Sequence, residues 1–143
     1  MAIRTASAEW KGDLRGGEGA FSGASGAVGG AYSFESRFTD AGGTNPEELV
    51  AAAHASCFSM FLAGVLGEAG SAPESVRTEA RLQILKEDEG FTVTRIDLAT
   101  VGSVPGIDEA AFKEAAQVAK ENCPISKALG AVREINLEAT LAS

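Results

Sequence analysis

The sequence predicts an α+β fold of mainly antiparallel strands, and three features carry that prediction. Residues 44–68 form one continuous helix signal near the middle of the chain. Val76, Thr78, Ala80, Leu82 and Ile84 alternate with Arg77, Glu79, Arg81 and Gln83, the period of a strand with one buried face. The signals run strands, helix, strands, helix, strand, which lacks the strict repeat of a parallel α/β sheet. A length of 143 residues suits one domain, 1–143.

Residues 1–43 hold ten of the 17 glycines, too many for a helix. Ala6, Ala8 and Trp10 alternate, as do Tyr32, Phe34 and Ser36, and Ala20-Phe21 adds a shorter apolar patch. With Gly16-Gly17 and the 23–30 stretch as turns, this reads as two or three short strands. The last of them runs through Ser33–Phe38 and sets Arg37 just before the loop to Asn45. No phosphate-loop pattern accompanies the glycines.

Asn45 then caps a helix, Pro46 suits its first position, and Glu47 and Glu48 favour the positive end of its dipole. From Leu49 to Gly67, 19 residues carry no formal charge, and apolar or small side chains occupy every face, as in a helix buried all round. A chain this short struggles to surround such a helix, so burial by a second copy is expected. Residues 69–73 connect to the strand of residues 76–84, Glu87–Gly90 turns the chain, and Phe91–Val101 returns as its partner. Asp108 caps a second helix with Ala111, Ala115, Val118 and Ala119 on its apolar side. That helix ends at Asn122-Cys123-Pro124, and a turn from Ser126 to Gly130 leads to a final strand carrying Ile135, Leu137, Ala139 and Leu141.

Composition narrows the function. Twenty acidic against 12 basic residues give a net charge of −8, which repels nucleic-acid backbones and anionic lipid. The uncharged run approaches the ~20 residues of a membrane span. Its Ala, Ser and Gly content, His54 and the lack of flanking basic clusters favour a core helix instead. The first ten residues lack an apolar core of signal-peptide length, so the cytoplasm is expected. Paired cysteines there are more often catalytic or redox-sensing than structural.

The two cysteines, Cys57 and Cys123, lie 66 residues apart, and with one histidine they make no zinc spacing. A hydrolase built on His54 and Cys57 lacks an oxyanion hole, because amides inside a helix are already bonded. His54 therefore reads as a packed, hydrogen-bonded core residue. Dithiol chemistry fits better. Cys123 at a helix C-terminus faces the negative end of the dipole, and burial raises the pKa of Cys57. A nucleophilic Cys57 then needs an external cation. Arg37 is a candidate by its loop position, held by a carboxylate such as Glu47. A thiolate so placed attacks a peroxide, becomes a sulfenic acid, and condenses with Cys123. A dithiol sensor without turnover and a dimer binding a hydrophobic ligand remain alternatives.

The whole chain, residues 5–142, resembles the osmotically inducible protein C / organic hydroperoxide resistance (OsmC/Ohr) family. The likeness lies in Arg37-Phe38, Gly43–Leu49, the Ala53–Met60 stretch around Cys57, Val104–Ile107 and Asn122–Ser126, in that order. The resemblance implies an OsmC-like intertwined homodimer, with mainly antiparallel sheets around long central helices. It also implies a thiol peroxidase of oxidative and osmotic stress defence that prefers organic hydroperoxides to hydrogen peroxide. By position, Cys57 resembles the peroxidatic cysteine, Cys123 the resolving one, and Arg37 and Glu47 the activating pair. The Ohr branch takes its arginine from an earlier glycine-flanked segment, which Arg15 superficially matches, so Arg15 stands in reserve. No cofactor or metal is implied beyond an external thiol reductant, dihydrolipoyl-type in the Ohr branch.

Overall fold

The computed structural model describes residues 1–142. Two units stand out, Met1–Leu49 and the remainder from Val50, each with its own three-stranded sheet. The α+β expectation holds.

In the first unit β1 (Ala6–Lys11), β2 (Glu18–Gly23) and β3 (Gly29–Tyr32) make an antiparallel meander. Gly19 lies between Trp10 on β1 and Tyr32 on β3 in register. A Cβ there would fall 2.6 Å from the Tyr32 ring, so glycine lets the two rings close over the strand, centroids 5.6 Å apart.

The strand expected over Ser33–Phe38 is instead a short helix, α1 (Phe34–Phe38). Its cause is a capping box. The Ser36 N–H donates to Ser33 Oγ at 3.1 Å, and the Ser33 N–H donates back to Ser36 Oγ at 2.8 Å. Phe34 and Phe38, four apart, then meet with centroids 4.9 Å apart. Arg37 is therefore a helical residue rather than the end of a strand.

The central helix α2 (Pro46–Glu68) begins as expected, with the Glu48 N–H donating to Asn45 Oδ1 at 2.7 Å. Burial all round does not occur within one chain. Only His54, Phe58, Leu62 and Leu66 are buried, a single stripe at four-residue spacing. Ala52, Ala53, Ser56, Met60, Gly64 and Gly67 are exposed, Met60 at 81%. Length and composition alone would let α2 cross a membrane, and one chain buries only 22% of its most apolar window.

In the second unit β4 (Ser75–Glu87) and β5 (Gly90–Ser103) form an antiparallel hairpin closed by Asp88-Glu89, with Gly90 at φ +122°. The side chains of β4 alternate between half-buried and exposed as predicted. β6 (Glu134–Leu141) joins the far edge of β5 in parallel, Ile96 opposite Ile135. A parallel partner needs a crossover, supplied by α3 (Glu109–Asn122) and α4 (Pro124–Ala128). The α4 helix replaces the turn expected after Cys123. Gly102 of β5 admits the ring of Phe112, which a Cβ would meet at 2.3 Å.

The core of this unit joins Phe58, Leu62 and Leu66 of α2 to Ile96 and Leu98 of β5 and Phe112, Ala116 and Ala119 of α3. The buried face of α3 is thus turned by about one residue from the expected one, leaving Ala111 and Val118 exposed. Phe112 decides this, since its area outweighs that of any alanine. The stripe Phe112-Ala116-Ala119 continues to Cys123, which points inward and is fully buried.

Candidate active site

Cys123 takes its position from the proline that follows. Residues before proline avoid helical geometry, and Cys123 is extended (φ −61°, ψ 136°), ending α3 and capping α4 with Pro124 at the first turn. Its Sγ accepts from the Ser126 N–H at 3.3 Å and lies 3.1 Å from Ser126 Oγ. The expectation that it meets only a negative helix end is therefore incomplete, because the start of α4 supplies donors. Ser126 Oγ is also 2.8 Å from His54 Nε2 of α2. His54 is a buried, hydrogen-bonded residue, as its position on the helix predicts, and burial lowers its pKa.

Cys57 lies three residues beyond His54 on α2 and is half-buried. Both cysteines are free thiols, and Cys123 is near enough to act on the Cys57 thiol. Burial pushes the Cys57 pKa up, the Ile125 N–H hydrogen-bonded to its sulfur pulls it down, and the Cys123 thiol pushes it up again, for a net rise. Within the second unit these influences together favour the neutral thiol of Cys57. Beside Cys57 lies a mostly apolar cleft of about 390 Å³ lined by Met60, Phe61, Gly64, Val65, Glu68 and Pro124.

Arg37 and Glu47 meet in the first unit. Arg37 Nη2 is 2.5 Å and Nε 3.2 Å from Glu47 Oε1, and Nε is 3.3 Å from Oε2, a fork pairing that raises the arginine pKa. The guanidinium also lies 5.0 Å from the Phe38 centroid and lines an aromatic cleft of about 250 Å³ with Trp10, Tyr32 and Phe34. Arg15 lies over the Phe34 ring at 4.8 Å, so the arginine paired with Glu47 is Arg37. The four residues singled out in the sequence thus assemble as two pairs, one in each unit.

Ile125, through its amide, and Ser126 escaped sequence reasoning. A signal was present in Cys123-Pro124-Ile125-Ser126, a proline at the first turn with a capping side chain before it.

A pair of neighbouring thiols, one on the central helix and one at a proline-capped junction, in an α+β framework, defines a dithiol protein. The chain belongs to the OsmC family: the model of that family, described as OsmC-like protein, matches residues 39–138. It is 47% identical to peroxiredoxin OsmC of Escherichia coli (strain K12) over 137 residues, covering 95% of this chain and 94% of that protein. The organic hydroperoxide resistance protein OhrB of Bacillus subtilis is 34% identical over 98 residues, 67% of this chain and 69% of that one. Among solved structures, an organic hydroperoxide resistance protein OsmC from Legionella pneumophila shares the fold. Its TM-score is 0.70 at 21% identity, covering all of both chains.

Proposed function

We propose that the protein is a cytoplasmic, cysteine-based peroxidase that reduces organic hydroperoxides and works as a homodimer in peroxide defence. The observation that carries this is the neighbouring pair of free thiols, Cys57 and Cys123, with Cys57 lining an apolar cleft. The names of the relatives, a peroxiredoxin and a hydroperoxide resistance protein, support the same chemistry.

In the proposed cycle the Cys57 thiolate attacks the distal peroxide oxygen. An S–O bond forms, the O–O bond breaks, and the alkoxide leaves as an alcohol after protonation, giving Cys57 sulfenic acid. Cys123 then displaces the oxygen as water and forms a disulfide. An external dithiol, of dihydrolipoyl type in one reading, returns both thiols and leaves as its own disulfide. A reducing compartment suits this cycle.

Substrate preference follows from the cleft. Each CH₂ group buried there contributes up to about 0.8 kcal/mol. The expected kcat/KM for cumene hydroperoxide, with a dithiol reductant, is at least about tenfold above that for hydrogen peroxide. Comparable values, or no turnover of either, would contradict the proposal.

Arg37, held by Glu47, is the cation proposed for Cys57. Thiolate fraction rises with pH, and without a cation the inflexion sits above the ordinary ~8.5 of cysteine. Arg37→Met is therefore expected to displace the pH profile of Cys57 alkylation upward, slowing the reaction at pH 7 about tenfold per unit of displacement. An unchanged profile would remove Arg37 from the role and turn attention to Arg15.

The exposed stripe of α2, small residues around Met60, is proposed to be covered by the same stripe of a second copy. Small side chains let two helix backbones approach closely, and the chain's mass of 14.6 kDa would double in solution.

A further inference from the structure

Cys123, Ser126 and His54 form a buried run of hydrogen bonds that the peroxide step does not use. Cys123 and His54 are fully buried and Ser126 is 6% exposed. Sγ and Oγ are 3.1 Å apart, Oγ and Nε2 2.8 Å, and the Ser126 amide reaches the same sulfur at 3.3 Å. Among the described residues, only His54 Nδ1 is a buried side-chain nitrogen or oxygen without a partner. An orphaned buried N–H is rarer than an orphaned acceptor. The network therefore assigns the proton to Nε2 and leaves Nδ1 bare. Nε2–H then donates to Ser126 Oγ, and the serine's own O–H is free to turn to Cys123.

That direction matters when Cys123 reacts. As a thiol it donates to Ser126 Oγ. As it loses its proton the sulfur has no S–H left to donate and must accept. The O–H and N–H of Ser126 both aim at it, and a neutral His54 holds the hydroxyl by its lone pair.

We propose that His54 and Ser126 are positioning residues for the resolving half-reaction, aiming Cys123 at Cys57 and stabilising the charge that grows on its sulfur. The inference rests on the reading above, in which peroxide leaves Cys57 as a sulfenic acid. In the step, the Cys123 S–H bond and the Cys57 S–O bond break, and an S–S bond forms. Oxygen departs as water, carrying the Cys123 proton. Cys123 is oxidised, the sulfenic sulfur is reduced, and His54 and Ser126 finish with the protons they began with.

The test separates the two steps in the full chain. One equivalent of cumene hydroperoxide is added, and dimedone capture follows first the formation and then the lifetime of Cys57 sulfenic acid. Ser126→Ala and His54→Leu are expected to form it at the wild-type rate and hold it about tenfold longer or more, as loss of a hydrogen bond to a charged group implies. His54→Gln keeps an N–H near the place of Nε2 and cannot titrate as imidazole does. It is expected to restore a near-wild-type lifetime. The normal first step also serves as the folding control, and the two His54 variants carry the test alone should Ser126→Ala not fold. Wild-type lifetimes in Ser126→Ala and His54→Leu would overturn the proposal. Equal slowing of both steps would do so too, as would failure of His54→Gln to restore the lifetime. Absence of any sulfenic acid in the wild type, in contrast, would overturn the peroxidase reading itself.

Discussion

Cys57→Ser is expected to abolish peroxide reduction, by more than about a thousandfold, the scale on which enzymes lose activity with their nucleophile. The two thiols differ in what a peroxide can reach. Cys57 is half-buried and lines the apolar cleft, whereas Cys123 is fully buried at the junction of α3 and α4. Peroxide therefore meets Cys57 first. Cys123→Ser keeps that first encounter and removes the partner, so it is expected to undergo one oxidation. A sulfenic acid should accumulate at Cys57, and excess peroxide should carry it to the sulfinic form. Equal first-turnover rates in wild type and Cys57→Ser would sink this assignment.

The second large effect concerns the proposed dimer. Glu47 and Cys57 are ten residues apart on α2, so their Cα atoms lie about 15 Å apart along the axis. A glutamate and a cysteine cannot span that, and an arginine bridging them within one helix would be stretched. Two antiparallel copies of α2, packed along the exposed Ala52–Gly67 stripe, would bring the Arg37–Glu47 pair of one copy towards Cys57 of the other. Cys57→Ser and Glu47→Ala are each expected to be inactive alone. After co-refolding, heterodimers should carry one site with both lesions and one intact site, recovering up to half the wild-type activity. No recovery in proven heterodimers, or a fully active monomer, would reject the shared site.

Much of the fold was legible because its strongest signals are periodic. The alternation of Val76–Ile84 survives intact as β4, and Asn45-Pro46-Glu47-Glu48 starts α2 where its chemistry says it should. Shorter segments were less legible. Tyr32, Phe34 and Ser36 alternate like a strand, but Phe34 and Phe38 are also four apart, and the Ser33–Ser36 capping box settles the conflict in favour of helix. In α3 the alanines are too small to mark a face, so the single large side chain, Phe112, sets the rotation and thereby aims Cys123 inward.

Of the candidate site, the Arg37–Glu47 pairing was readable from charge and proximity to the helix start. The bond between His54 and Ser126 was not, because it joins residues 72 apart through tertiary packing that no local pattern encodes. All faces of α2 are apolar or small, as its sequence says, but one chain covers only the His54–Leu66 stripe.

Reduction of a hydroperoxide by Cys57 and Cys123 is the step on which every other role depends. Its most direct test is peptide mapping of the wild-type protein after one equivalent of cumene hydroperoxide, without reductant. The expected product is a disulfide between the peptides containing Cys57 and Cys123, in yield matching the alcohol formed and fully reversed by a dithiol. Both cysteines recovered as thiols, with the oxygen found instead on a methionine, would contradict it.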